Sequence, residues 1–138
     1  SHIVDKFVID IRDNSGGSDK YITPIINWIK TKKINTKDHL FVIVGRTTFS
    51  SAILNAVTLR KETNATFIGE ETSGKPNHYG SVKSFTLPNS KIEIQYSTQF
   101  NKISADNEST FIPDKIIEIS IKDYLGKKDP ILNYILKD

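Results

Sequence analysis

Two apolar runs, "KFVIDI" at residues 6–11 and "HLFVIVG" at residues 39–45, each lead into a segment with helical spacing. Neither run alternates apolar with polar, so each reads as a strand covered on both faces. The first ends in the glycine turn "RDNSGG". It is followed by Ile22, Ile25, Ile26 and Ile29 at helical intervals with Trp28 beside them, and Ser18–Asp19 or Thr23–Pro24 can open the helix. The second leads to "SSAILNAVTLRKE", with Ile53, Ala56, Val57 and Arg60 on one side. Two strand-helix units in succession predict parallel strands with helical crossovers, the connection that a parallel pair needs.

A third strand fits "ATFIG", residues 65–69, and the glycines and proline of "EETSGKPNHYG" make residues 70–80 a loop. Beyond it the pattern changes. "SVKSFTL" and "KIEIQYSTQ" alternate and flank "PNS", which predicts a β-hairpin. "DKIIEIS" suits an edge strand, and "DPILNYILK" predicts a short terminal helix with Asp129 as cap and Pro130 in its first turn. The expected fold is α/β, a mainly parallel sheet plus a hairpin.

A chain of 138 residues, 37% hydrophobic and 25% charged, is sized for one domain with its own core. It holds no methionine, initiator included, which points to a segment of a longer polypeptide; no chemistry is built on His2. The absence of cysteine removes disulfides, thiolate metal sites and a thiol nucleophile. No run approaches the ~20 apolar residues that span a bilayer. The net charge of +3 is spread over scattered lysines, and the densest group, "KTKK" at 30–33, sits where a helix end favours cations. No base-reading motif accompanies it, so nucleic acid is not an expected partner. The three histidines lack metal-ligand spacing, and no cofactor motif is present.

Ser50 and Ser51 stand where the second strand becomes a helix. A serine there is ordinarily an N-cap, but a helix start also offers unpaired N–H groups able to hold an oxyanion. A nucleophilic serine needs a base. Lys75 serves only if burial lowers its pKa from ~10.4; His78 needs little tuning. Each has an ordinary alternative, a solvated loop lysine and a loop-fixing histidine. The Gly16–Gly17 turn can be an anion site or simply a turn.

The segments "FVIDIRDNSGG", "VIVGRTTFSSA", "FIGEETSGKPNHYG" and "FIPD", in this order, resemble the catalytic core of the S41-type tail-specific or C-terminal processing serine peptidases, which include the tricorn core protease. The resemblance covers almost the whole chain. It implies a ClpP/crotonase-like spiral of strand-helix units and peptide-bond hydrolysis through a serine acyl-enzyme. It selects Ser50 as nucleophile, because the family serine stands three places before the position of Ile53. It further implies oxyanion donors from Ser51 and from Gly16 or Gly17, and it aligns Lys75 with the base of a Ser-Lys dyad. In tricorn-like members the base is instead an upstream histidine, aided by a glutamate before the "PD" element, for which Glu108 is the candidate.

The upstream half of such enzymes, with any PDZ-like domain, lies outside these residues. The expected partner is a peptide or protein substrate, and relatives suggest placement at the cell surface or outside the cytoplasm. The alternatives are a peptide- or ligand-binding module on the same fold and, by fold analogy only, a crotonase-like acyl-CoA enzyme.

Overall fold

A computed structural model describes residues 4–137; His2 lies outside the described residues. Six strands form, β1 (Phe7–Asp10), β2 (Leu40–Val44), β3 (Thr66–Gly69), β4 (His78–Thr86), β5 (Glu93–Asn101) and β6 (Lys115–Ile116). With them come helices α1 (Thr23–Lys30), α2 (Ser51–Glu62), α3 (Ile121–Leu125) and α4 (Pro130–Leu136), and a 3-10 turn at Asp19–Ile22. The parallel sheet has the order β1-β2-β3-β6, while β4 and β5 form a separate antiparallel ribbon.

The expected double coverage of the sheet is realised. Leu40, Val42, Val44 and Phe67 point to a core with Ile26 and Ile29 of α1 and Ile53, Ala56 and Leu59 of α2. Phe41, Ile43 and Ile68 point the other way, onto Ile131 and Ile135 of α4. Period-two alternation therefore feeds two cores from one strand, which is why β2 shows no polar position. Arg60, read on the buried side of α2, lays its guanidinium over the rings of Phe67 and Phe111 at 4.6 and 3.9 Å. Burial pushes its pKa below the ordinary arginine value, outweighing the opposite pull of Asp114 and Glu108.

Several details differ from the sequence expectation. Ile25 is exposed, so α1 buries a narrower stripe than its four isoleucines suggest. The 3-10 turn uses Ser18–Asp19 and α1 itself starts at Thr23–Pro24, so both proposed starts are used in succession. Residues 78–80 belong to β4 rather than to the preceding loop. The "DKIIEIS" edge strand is confined to two residues paired with β3. Helix α3, not anticipated from the sequence, is one short turn whose N-cap Ser120 accepts from the Asp123 N–H. Asp129 caps α4 as expected, accepting from Leu132 N–H at 2.8 Å.

Candidate active site

The C-terminal ends of parallel strands are where an α/β sheet gathers its loops, and ligands bind there. Here that edge unites the four segments singled out in the sequence. The Gly turn after β1 meets the β2–α2 turn, with Phe49 N–H donating to Asn14 O at 3.1 Å. Thr48, fully buried, donates from Oγ1 to Ile11 O at 2.8 Å and accepts from Gly45 N–H at 3.0 Å. The loop after β3 lies on Phe49: a Cβ at Gly74 would sit 2.9 Å from the Phe49 ring. Thr72 fastens that loop to the fourth segment, its N–H donating to Phe111 O and its Oγ1 accepting from Phe111 N–H.

Ser50 sits at the centre of this arrangement with φ 53° and ψ −124°, a conformation that costs a non-glycine residue about 1–3 kcal/mol. It occupies the N-cap position of α2, yet its side chain makes no capping hydrogen bond. The sharp turn instead leaves Oγ partly exposed and unbonded among the described residues. A strained serine between a strand and a helix is the arrangement that lifts a nucleophile clear of its own backbone.

Gly16 is the close neighbour. A Cβ there would lie 2.8 Å from Ser50 Cβ and 3.4 Å from its Oγ, so only glycine admits this approach, and its φ of 125° independently demands one. The Gly16 N–H donates to Asn14 Oδ1 at 2.9 Å. The N–H groups of Gly17 and Ser51 have no partner among the described residues. Thus Gly16 contributes space, and Gly17 and Ser51 are the free donors.

The candidate bases are placed differently. His78 opens β4, and its ring stacks on that of Phe49, the residue before Ser50, with centroids 6.4 Å apart. Its Nδ1 lies 2.8 Å from Lys75 O and 3.1 Å from Pro76 O. Carbonyls only accept, so Nδ1 carries the hydrogen and the neutral ring keeps its lone pair on Nε2. That Nε2 is buried without a partner, a state that costs about 1–3 kcal/mol. Lys75 is exposed and forms no ion pair among the described residues. Neither side chain is hydrogen-bonded to Ser50 Oγ.

Glu108 is exposed, and its charge acts on Arg60 near the far end of α2, about 15 Å along the helix from Ser50. The structure therefore groups Ser50 and Ser51 with the Gly16–Gly17 turn, places Lys75 and His78 side by side next to Phe49, and leaves Glu108 apart. Asp114 of the "PD" element is structural: its Oδ2 accepts from Phe67 N–H at 2.8 Å.

Sequence reasoning missed Thr48, Thr72 and Asn77. Asn77 clasps the strand-to-loop return, accepting from Ile103 and Ser104 N–H and donating to Ser104 and Asp106 carbonyls. The Gly turn is also tied to the C-terminal helix through Arg12, which pairs with Asp10 at 2.9 Å and Asp129 at 2.8 Å. Burial opposes the Arg12 charge, but these two carboxylates outweigh it and hold its pKa above the ordinary value. Among the described residues no cluster of side chains suits a metal ion, and no helix is long and apolar enough to cross a membrane.

The geometry defines a class first: an α/β fold with a strained serine at the C-terminal edge of its parallel sheet. Comparison with solved structures then specifies the fold as that of the S41-type peptidases. A candidate peptidase from Parabacteroides merdae superposes with a TM-score of 0.67 at 18% identity, over 96% of this chain and 52% of its own. A candidate S41 protease from Bacteroides fragilis gives 0.58 at 17% identity, over 96% and 44%. The chain thus spans about half the length of these neighbours. No protein-family model matches it, and no curated protein does.

Proposed function

We propose that this chain is the nucleophile-bearing core of a serine peptidase acting on unfolded protein segments or chain ends. The observation that carries the reading is Ser50, strained in backbone, without a capping bond, and closely approached by Gly16 of the glycine turn. In the reaction, Ser50 Oγ attacks the scissile carbonyl carbon while a base removes its proton. The N–H groups of Gly17 and Ser51 stabilise the oxyanion. Collapse expels the amine, protonated by the same base, and water then hydrolyses the acyl-enzyme.

His78 is the base this geometry supports. Its Nδ1–H is anchored on carbonyls and its Nε2 has no partner, so Nε2 is the nitrogen that would accept the proton once brought to Ser50 Oγ. Lys75 lacks the burial that a Ser-Lys dyad requires. In keeping with the family resemblance, we place the protein outside the cytoplasm.

A fluorophosphonate probe followed by peptide mass spectrometry tests the assignment. Labelling of Ser50, lost in His78→Gln and kept in Lys75→Gln, is the expected result. The reverse pattern restores the lysine dyad. A folded chain that is never labelled, alone or within a longer parent, supports a binding module; the unbonded Ser50 Oγ is the observation on that side.

A further inference from the structure

The β4–β5 ribbon carries all but one of its large apolar residues on one face. Register pairs Tyr79 with Phe100, Phe85 with Ile94 and Lys83 with Tyr96, so Tyr79, Phe85, Ile92, Ile94, Tyr96 and Phe100 share one side, interrupted by Lys83 and Thr98. The Tyr79–Phe100 and Phe85–Tyr96 rings stand 4.9 and 6.1 Å apart. The opposite face holds Ser84, Gln95, Ser97 and Gln99, with Val82 as its one large apolar residue. All six apolar residues are between 36% and 68% exposed, and among the described residues the ribbon is hydrogen-bonded to no third strand. A two-stranded ribbon with a bare aromatic stripe and two open edges is incomplete by itself.

Its dimensions choose among occupants. Nine residues per strand at ~3.4 Å rise, with two strands ~4.8 Å apart, give a face of roughly 300 Å². That is well below the ~800 Å² per partner of a stable protein–protein interface, but it suits one extended peptide. Continuity with the site points the same way. The ribbon begins at His78, whose ring lies on Phe49 next to Ser50; Tyr79 points to the opposite face, so it is the β4 backbone edge rather than the aromatic stripe that runs up to the site.

The geometry points to the β4–β5 ribbon as a docking rail that captures an extended polypeptide as a third strand along β4 and reads apolar side chains at every second position. This inference deepens the peptidase reading and rests on it for the fate of the bound segment. Strand addition supplies backbone hydrogen bonds, and the aromatic stripe supplies selection. The rail is distinct from the Gly turn, and it would deliver a chain toward Ser50 already extended.

The test uses the Ser50→Ala chain and a fluorescein-labelled, unstructured twelve-residue peptide alternating Leu or Phe with Ser, with binding read by anisotropy. Phe85→Ser with Tyr96→Ser should weaken binding about tenfold or more. A peptide N-methylated at every second amide should weaken it comparably on the unaltered rail, so the test survives even if the double variant fails to fold. Hydrogen exchange of amides in β4 should slow when the peptide is bound. Unchanged affinity in both arms, or no binding at all, overturns the rail. A dimer seen by sedimentation velocity and dissolved by Phe85→Ser would assign the face to a second copy instead. Binding without cleavage or probe labelling in the unsubstituted chain would sink the peptidase reading and leave the rail standing; cleavage with no rail dependence would do the opposite.

Discussion

The parallel sheet and the β4–β5 ribbon are both built from β-branched and aromatic residues, yet they end in opposite environments. Every residue of β2 is buried, whereas seven of the nine residues of β4 are exposed. The sheet closes its own core with α1, α2 and α4. Beyond the His78–Phe49 stack at its base, the ribbon is held by cross-strand pairs. Rigidity is thus concentrated under Ser50, and adaptable surface is concentrated beside it.

The sharpest way to break this contrast is paired truncation. Phe67→Ala removes a fully buried ring that contacts Phe111 and lies beneath Arg60, and should cost about 3–5 kcal/mol in urea unfolding. Tyr96→Ala should stay within about 1 kcal/mol. Equal losses would mean that the ribbon belongs to the same cooperative core.

Helix starts provide the next comparison. Asp129→Ala removes a real cap and an ion partner of Arg12, and should cost about 1–2 kcal/mol in thermal unfolding. Ser50→Ala loses no capping bond and should change stability by less than about 0.5 kcal/mol, while Ser50→Gly should raise it by about 1 kcal/mol through relief of strain. A Ser50→Ala loss as large as that of Asp129 would return Ser50 to an ordinary cap.

The smallest effect is electrostatic. The hydrogen bond and charge of Lys30, 2.6 Å away, hold the exposed Glu62 carboxyl below the usual glutamate value. Its folded pKa is depressed, so its contribution is present above the unfolded pKa and fades as pH falls through the folded one. Lys30→Gln should flatten the acid limb of the stability profile slightly, and added salt should do the same.

The sheet, its two crossover helices and the capped α4 were legible because hydrophobic period and cap chemistry are local signals. The hairpin was legible from its alternation. Its bareness was not, since alternation says that one face is apolar and nothing about whether that face is covered. Likewise the sequence marks Ser50 as a helix-start serine but carries no sign of its positive φ, which the Gly16 approach and the buried Thr48 bond impose from other segments. Lys75 and His78 stand three residues apart in the sequence, and only the carbonyls that hold Nδ1 and the burial of Nε2 separate them. Glu108 was chosen by its distance from Pro113 along the chain, and that distance says nothing about which end of α2 it faces.

The Arg12–Asp129 ion pair adds a matter of timing. It joins the turn that holds Gly16 to a residue near the other end of the chain, and Lys6 reaches Lys137 O across 131 positions. At synthesis rates of ~5–20 residues per second, the first strand and its turn wait roughly ten seconds for these partners to emerge. The turn after β1 is therefore braced only once Asp129 has emerged, and a nascent chain holds Ser50 before it holds a finished site.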